Sequence, residues 1–114
     1  MFYTLSNTGR PGPTTRIACG DIVDNLEDEF TNSSGSPAIG ALVTVEDNSI
    51  RFTMGGNIST PTYPPTQGAS GLGHELAAGQ SIGLYSGAQV RSFQFINATN
   101  GSNAVIQVTP FFEA

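Results

Sequence analysis

"GALVTVEDNSIRFTM" occupies residues 40–54, and its period decides the fold. Ala41, Val43 and Val45 alternate with Leu42, Thr44 and Glu46, and Ile50, Phe52 and Met54 alternate with Ser49, Arg51 and Thr53. Side chains along a strand point to opposite faces in turn, so a period of two with one apolar set marks two half-buried strands, not a helix. Asp47-Asn48 between them tolerate the positive φ of a tight turn, and the two runs read as a β-hairpin.

Downstream the pattern repeats. "QSIGLY" (80–85) puts Ile82 and Leu84 on one face, "SGA" (86–88) turns, and "QVRSFQFIN" (89–97) puts Phe93 and Phe95 on one face. Asn100-Gly101 is a strong hairpin dipeptide, and "NAVIQVTPF" (103–111) alternates Ala104, Ile106 and Val108 with Val105, Gln107 and Thr109. These runs predict a three-strand meander whose apolar face needs a second layer. The 40–54 hairpin and strands around "FYTLS" (2–6) and "TTRIAC" (14–19) supply that layer. The expected fold is all-β: a single antiparallel β-sandwich, jelly-roll-like, of about seven to eight strands, formed by residues 1–114 as one domain. Its core is Val43, Val45, Ile50, Phe52, Ile82, Leu84, Phe93, Phe95, Ile106 and Val108.

Two segments break the alternation. In "GDIVDNLEDEF" (20–30), Ile22, Val23, Leu26 and Phe30 recur at helical spacing, which fits a short amphipathic helix; a strand followed by an irregular loop fits nearly as well. Its carboxylates, Asp21, Asp24, Glu27, Asp28 and Glu29, lack the Asp-x-Asp-x-Asp-Gly spacing of a calcium loop, so no metal is assigned. The other segment, "GGNISTPTYPPTQGASGLG" (55–73), is too long for a tight turn, and loops of that length are commonly functional. With an N-terminal arm over residues 1–13, it is expected to contact neighbouring chains through Pro11, Pro13, Pro61, Tyr63, Pro64 and Pro65. Proline enters a contact with φ already fixed, and tyrosine offers a large contact area with few rotamers to freeze.

Composition narrows the function. Only 11% of residues are charged, against about 25% in ordinary domains. The four basic residues are Arg10, Arg16, Arg51 and Arg91, and the net charge is −5, so the positive footprint of a nucleic-acid binder is missing. A surface of small neutral polar residues suits a protein packed against neighbours. No apolar run approaches the roughly 18 residues of a membrane span, and "MFYTLSNTGRPGPTT" lacks the basic and apolar regions of a secretory signal. Cys19 is the single cysteine and reads as a buried small hydrophobe, not a reactive thiol.

His74 is the single histidine. A general base needs a nucleophile or a substrate pocket and an orienting group, and no Gly-x-Ser-x-Gly elbow or second metal-ligating histidine accompanies it. It reads as a strand-edge residue beside a loop. The neighbouring carboxylates Glu27 and Glu29, or Glu46 and Asp47, read as surface pairs rather than a glycosidase dyad. The expectation is a non-enzymatic protein without cofactor. Tyr3, Tyr63 and Tyr85 are the side chains that would stack on a sugar if the domain were instead a carbohydrate-binding module.

Several of these elements together resemble a small β-sandwich protein of tailed bacteriophages and prophages. They are Ile50-Arg51-Phe52, Gly73-His74, the Leu-x-x-Gly element from Leu76 to Leu84, Val90 to Ile96, and the terminal strand Ala104 to Phe112 with its aromatic end. The resemblance covers a little over half of the chain and leaves out the first 38 residues. It implies a structural component of the virion, assembled in the host cytoplasm: a capsid decoration or cement protein that binds the major capsid protein across subunit joints. A neck, tail or fibre-associated role is the alternative. Homo-oligomerisation, as a trimer, is expected with it, and His74 then belongs to a fold signature.

Overall fold

The computed structural model of the protein describes residues 9–26, 37–55 and 63–113. Among the described residues, nine strands and one helix follow in order: β1 (Gly9–Pro11), β2 (Thr15–Cys19), β3 (Asp24–Asn25), β4 (Gly40–Asp47), β5 (Ile50–Met54), β6 (His74–Leu76), β7 (Ser81–Leu84), α1 (Gly87–Ser92), β8 (Phe93–Asn97) and β9 (Ala104–Glu113). One sheet runs β1-β9-β4-β7, with β2 also paired to β9; the other runs β3-β8-β5-β6.

The pairs are nested. β2 pairs β9, β3 pairs β8, β4 pairs β7 and β5 pairs β6, all antiparallel. One long double ribbon wound around a barrel-like core gives this order, which is the eight-stranded jelly roll. The expected all-β sandwich is present, but its local connections differ from those read in the sequence. β4 and β5 do not form a hairpin: they lie in different sheets, and Asn48 (φ 57) makes an arch across the core. Nor are β7, β8 and β9 a meander, because β7 and β9 belong to one sheet and β8 to the other. An arch and a hairpin both join two alternating runs by a tight turn with positive φ, so the local pattern does not separate them.

The helix also differs in place. α1 takes the turn and the first residues of what reads as the 89–97 strand. Ser86 caps it by accepting from the Gln89 N–H at 3.1 Å, which satisfies one of the orphan donors of the first turn. Val90 is its buried residue. Asp24–Asn25 in the acidic segment is a two-residue strand, not a helix; residues 27–30 lie outside the described residues.

β1 and β2 form one interrupted edge strand. Pro11 stands opposite Phe111 and Thr15 opposite Val108, so Gly12, Pro13 and Thr14 face only Pro110 and Thr109. That extra residue is a bulge, and proline sits there because it has no N–H to give to a ladder. Gly12 N–H still reaches the Pro110 carbonyl at 2.7 Å, and the Thr14 and Thr109 hydroxyls are 2.7 Å apart. Residues 9–13, expected to be an arm, are thus part of the sandwich; the expected strand around residues 2–6 lies outside the described residues.

The core lies between the sheets. Ile17, Cys19, Ala41, Val43, Val45, Leu84, Ala104, Ile106, Val108 and Phe112 come from one sheet and Ile50, Phe52, Phe93 and Phe95 from the other, with Leu26 beside them. Every residue of the expected core is buried except Ile82, which is partly exposed and packs on the cluster. Phe93 and Phe95 are fully buried, with ring centroids 5.5 Å apart, and Phe52 lies 5.2 Å from Phe93. Each such side chain contributes about 1.5–3 kcal/mol by leaving water. β8 is buried on both faces: Gln94 and Ile96, opposite in parity to the phenylalanines, are 2% and 5% exposed.

Candidate functional site

The expected contact residues differ in exposure. Pro11 and Pro13 are exposed on the edge strand and its bulge. Pro61 lies outside the described residues. Tyr63 is 76% exposed and has φ 50, a left-handed conformation uncommon for a bulky residue. Pro64 is exposed, but Pro65 is fully buried. The expectation that Pro65 faces a partner is therefore corrected: its apolar ring is taken into the protein's own interior.

The loop behind Tyr63 folds back on the body. Thr66 N–H donates to the Leu72 carbonyl at 3.0 Å, and Leu72 N–H returns to the Thr66 hydroxyl at 2.6 Å. Gly68 N–H donates to the Ala98 carbonyl at 2.9 Å. Arg51, on β5, straps the loop from below: its two terminal nitrogens donate to the Gly73 carbonyl at 3.0 Å and the Gly68 carbonyl at 3.1 Å. Arg51 Nε is buried without an acceptor, and Gly71 passes directly over it; a Cβ at Gly71 would stand 2.9 Å from Nε and 2.1 Å from the Thr66 carbonyl oxygen. Thr66–Gly73 is thus a fixed part of the scaffold rather than an extended arm.

A polar hub ties this loop to two others. Asp21 Oδ1 accepts from Gly101 N–H, Asn97 Nδ2 and Gln67 Nε2, each at 2.9 Å. Gln67 Nε2 also donates to Asn97 Oδ1, and Asn97 Nδ2 to the Ser102 carbonyl at 3.3 Å. The hub joins the β2–β3 loop, the long loop and the β8–β9 turn at one end of the sandwich. The Gly101 N–H, then the Asn97 and Gln67 amides, hold the Asp21 carboxyl below its ordinary range. Sequence reasoning missed this cluster because its members are far apart in the chain. One signal was available: Asn97 continues the core-facing parity of Phe93 and Phe95, and a polar side chain on a core face requires hydrogen-bonding partners.

On the outer face of the other sheet, Arg16 holds Glu46 bidentately, Nε to Oε1 at 3.2 Å and Nη2 to Oε2 at 2.9 Å, and Gln107 Nε2 donates to Oε1 at 2.5 Å. The Arg16 bond, with that from Gln107, lowers the Glu46 pKa. Asp47 rather than Glu46 stands opposite Val105, so Glu46 occupies a β-bulge.

His74 is exposed on the short edge strand β6, opposite Phe52, with ring centroids 5.4 Å apart. Gly73 before it has φ 118, and a Cβ there would come within 2.8 Å of the Phe52 carbonyl oxygen. The Gly-His pair is thus a backbone device that brings β6 against β5. Cys19 is buried; burial, with a smaller contribution from Asp24, pushes its thiol up to about 12. Among the described residues, no three His, Cys, Asp or Glu side chains converge as metal ligands. No helix among them is long and apolar enough to cross a membrane. Tyr85 lies over Gly83, where a Cβ would stand 2.8 Å from the phenolic oxygen, so the ring covers a glycine on the edge strand β7. Tyr3 lies outside the described residues.

The fold and these sites define an all-β sandwich of jelly-roll order with a polar hub at one loop end. No protein-family model, curated protein or solved structure matches the chain.

Proposed function

We propose that the protein is a non-enzymatic structural component of a bacteriophage virion, a capsid decoration or cement protein that binds across subunits of the major capsid protein. The nested strand order carries this reading, because the eight-stranded jelly roll is a recurring body of viral capsid domains. Since a fold hosts many functions, the surface must also fit. Three of its sheet edges discourage strand addition: β3 and β6 have two and three residues, and Pro11 and the Pro13 bulge interrupt the β1–β2 edge. Association then falls to faces and loops, where a low-charge surface packs on a neighbour with little desolvation penalty. Exposed Tyr63 and Pro64 remain candidate anchors on the long loop, and Pro11 and Pro13 on the edge. In this reading the protein acts as a homo-oligomer, a trimer, on particles assembled in the host cytoplasm, and symmetry repeats a modest interface many times.

Co-sedimentation with purified phage particles tests the reading. Recovery in a fixed ratio to the major capsid protein is expected. Particles purified to homogeneity without the protein, and unable to take it up on addition, would overturn it.

A further inference from the structure

Beside the hub, the strapped loop and the β8–β9 turn enclose an open furrow of about 520 Å³. Arg51, Gln67, Glu75, Thr99 and Asn100 line it, with Gly68, Ala69 and Ala98 between them. A smaller hollow of about 150 Å³ shares Glu75 and Thr99 with it and adds Asn48, Ser49 and Ser102. The two adjoin at Glu75 and Thr99 and make one track of mixed polar and apolar groups across the loop end. The volume of the larger part lies within the usual range for small-molecule sites.

The chemistry of the track is unusual in what it leaves uncommitted. Among the described residues, Arg51 and Glu75 are its charged ones, and they cancel: they lie 3.8 Å apart, close enough to pair but too far to share a hydrogen bond. The Glu75 carboxylate, half-exposed, therefore keeps its acceptor capacity. Its remaining functional side chains are amides and hydroxyls. The walls are also set in advance, since Gln67 is held by Asp21 and Asn97, and Arg51 by two loop carbonyls. Among the described residues, such a surface carries no net charge to attract an anion or a cation, and its apolar groups are small, Ala69 and Ala98, with no large apolar side chain to anchor a peptide. Mixed donors and acceptors beside small apolar groups match a ligand that presents hydroxyls and C–H faces together.

We propose that this furrow binds a neutral oligosaccharide, with Glu75, Thr99 and Asn100 meeting its hydroxyls. The site differs from the aromatic platforms that Tyr63 and Tyr85 would provide, because neither tyrosine lines the furrow. With no ring among the described lining residues to stack on the sugar, binding is weak, in the millimolar range (Kd on the order of 1 mM). It does not depend on the particle-binding reading, and either can fail alone.

The test is a titration of the full chain, followed by backbone amide NMR, with three probes: maltotetraose, cellotetraose and N-acetylated chitotetraose. Saturable shifts with at least one probe are expected at Gln67–Ala69, Glu75 and Ala98–Asn100. Replacing Glu75→Ala and Asn100→Ala together should weaken that binding about tenfold or more, while Tyr85→Ala should leave it unchanged. Four results would overturn the proposal. They are no saturable shift with any probe, shifts centred on Tyr63 or Tyr85, affinity untouched by the Glu75/Asn100 double variant, and equal response to an uncharged Gly-Ser-Thr peptide.

Discussion

Asn97 donates from Nδ2 to Asp21 Oδ1 across 2.9 Å, joining the last residue of β8 to the loop that follows β2. Asn97 is fully buried. Its removal deletes its hydrogen bonds to Asp21, Gln67 and Ser102. Asn97→Ala is expected to lower stability by about 0.5–1.5 kcal/mol for each hydrogen bond lost, as measured by urea unfolding. A loss within error would show that water replaces the amide in the hub.

Acid should loosen the same end. The carboxyls of Asp21 and Glu46 have lowered pKa values in the folded chain, so each contributes stability that is present above its unfolded pKa, about 4. As pH falls through the folded values, that contribution disappears. The melting temperature should therefore fall between neutrality and strong acid, and an Asp21→Asn, Glu46→Gln variant should show a flatter acid limb than the unaltered chain.

At the alkaline end the sign reverses. Cys19 keeps its proton when folded because burial pushes the thiol up to about 12. Its contribution is complete below the unfolded thiol pKa, about 8.5, and is lost as pH rises from there toward the folded value. Native protein should react with a thiol-specific disulfide reagent only after denaturant is added. Fast labelling of the native form at pH 8 would contradict the buried, protonated thiol.

Gly73 and His74 should separate cleanly. Gly73→Ala places a Cβ 2.8 Å from a backbone oxygen at φ 118, and should cost more than about 1 kcal/mol in denaturant unfolding. His74→Ala removes an exposed ring contact with Phe52 and should cost at most about 0.5–1.5 kcal/mol. The structural role of the pair then rests on the glycine.

Tyr63 is the remaining exposed aromatic of the expected contact set. Tyr63→Ala should change stability by no more than about 0.5 kcal/mol, as a surface substitution, yet reduce retention on phage particles. Undiminished retention would move the interface to the sheet face.

The sequence by itself determined the all-β class and most of the core. Alternation in β4, β5 and β9 names Val43, Val45, Ile50, Phe52, Ile106 and Val108 as inward-facing, because burying one face of a strand imposes a period of two whichever strand lies beside it. The same indifference explains what was missed. Pairing partners leave no local trace, so an arch at Asn48 and a hairpin at Asp47-Asn48 share one sequence pattern, and only the packed sheets show that β4 and β5 are opposed across the core. α1 escaped because its six residues are too few to establish a helical period. The fixed loop escaped because its order comes from Arg51, Asp21 and Asn97, which belong to distant segments of the chain. Tertiary structure alone decided which proline faces solvent, Pro64, and which is buried, Pro65, since that choice depends on what folds over the loop rather than on the residues within it.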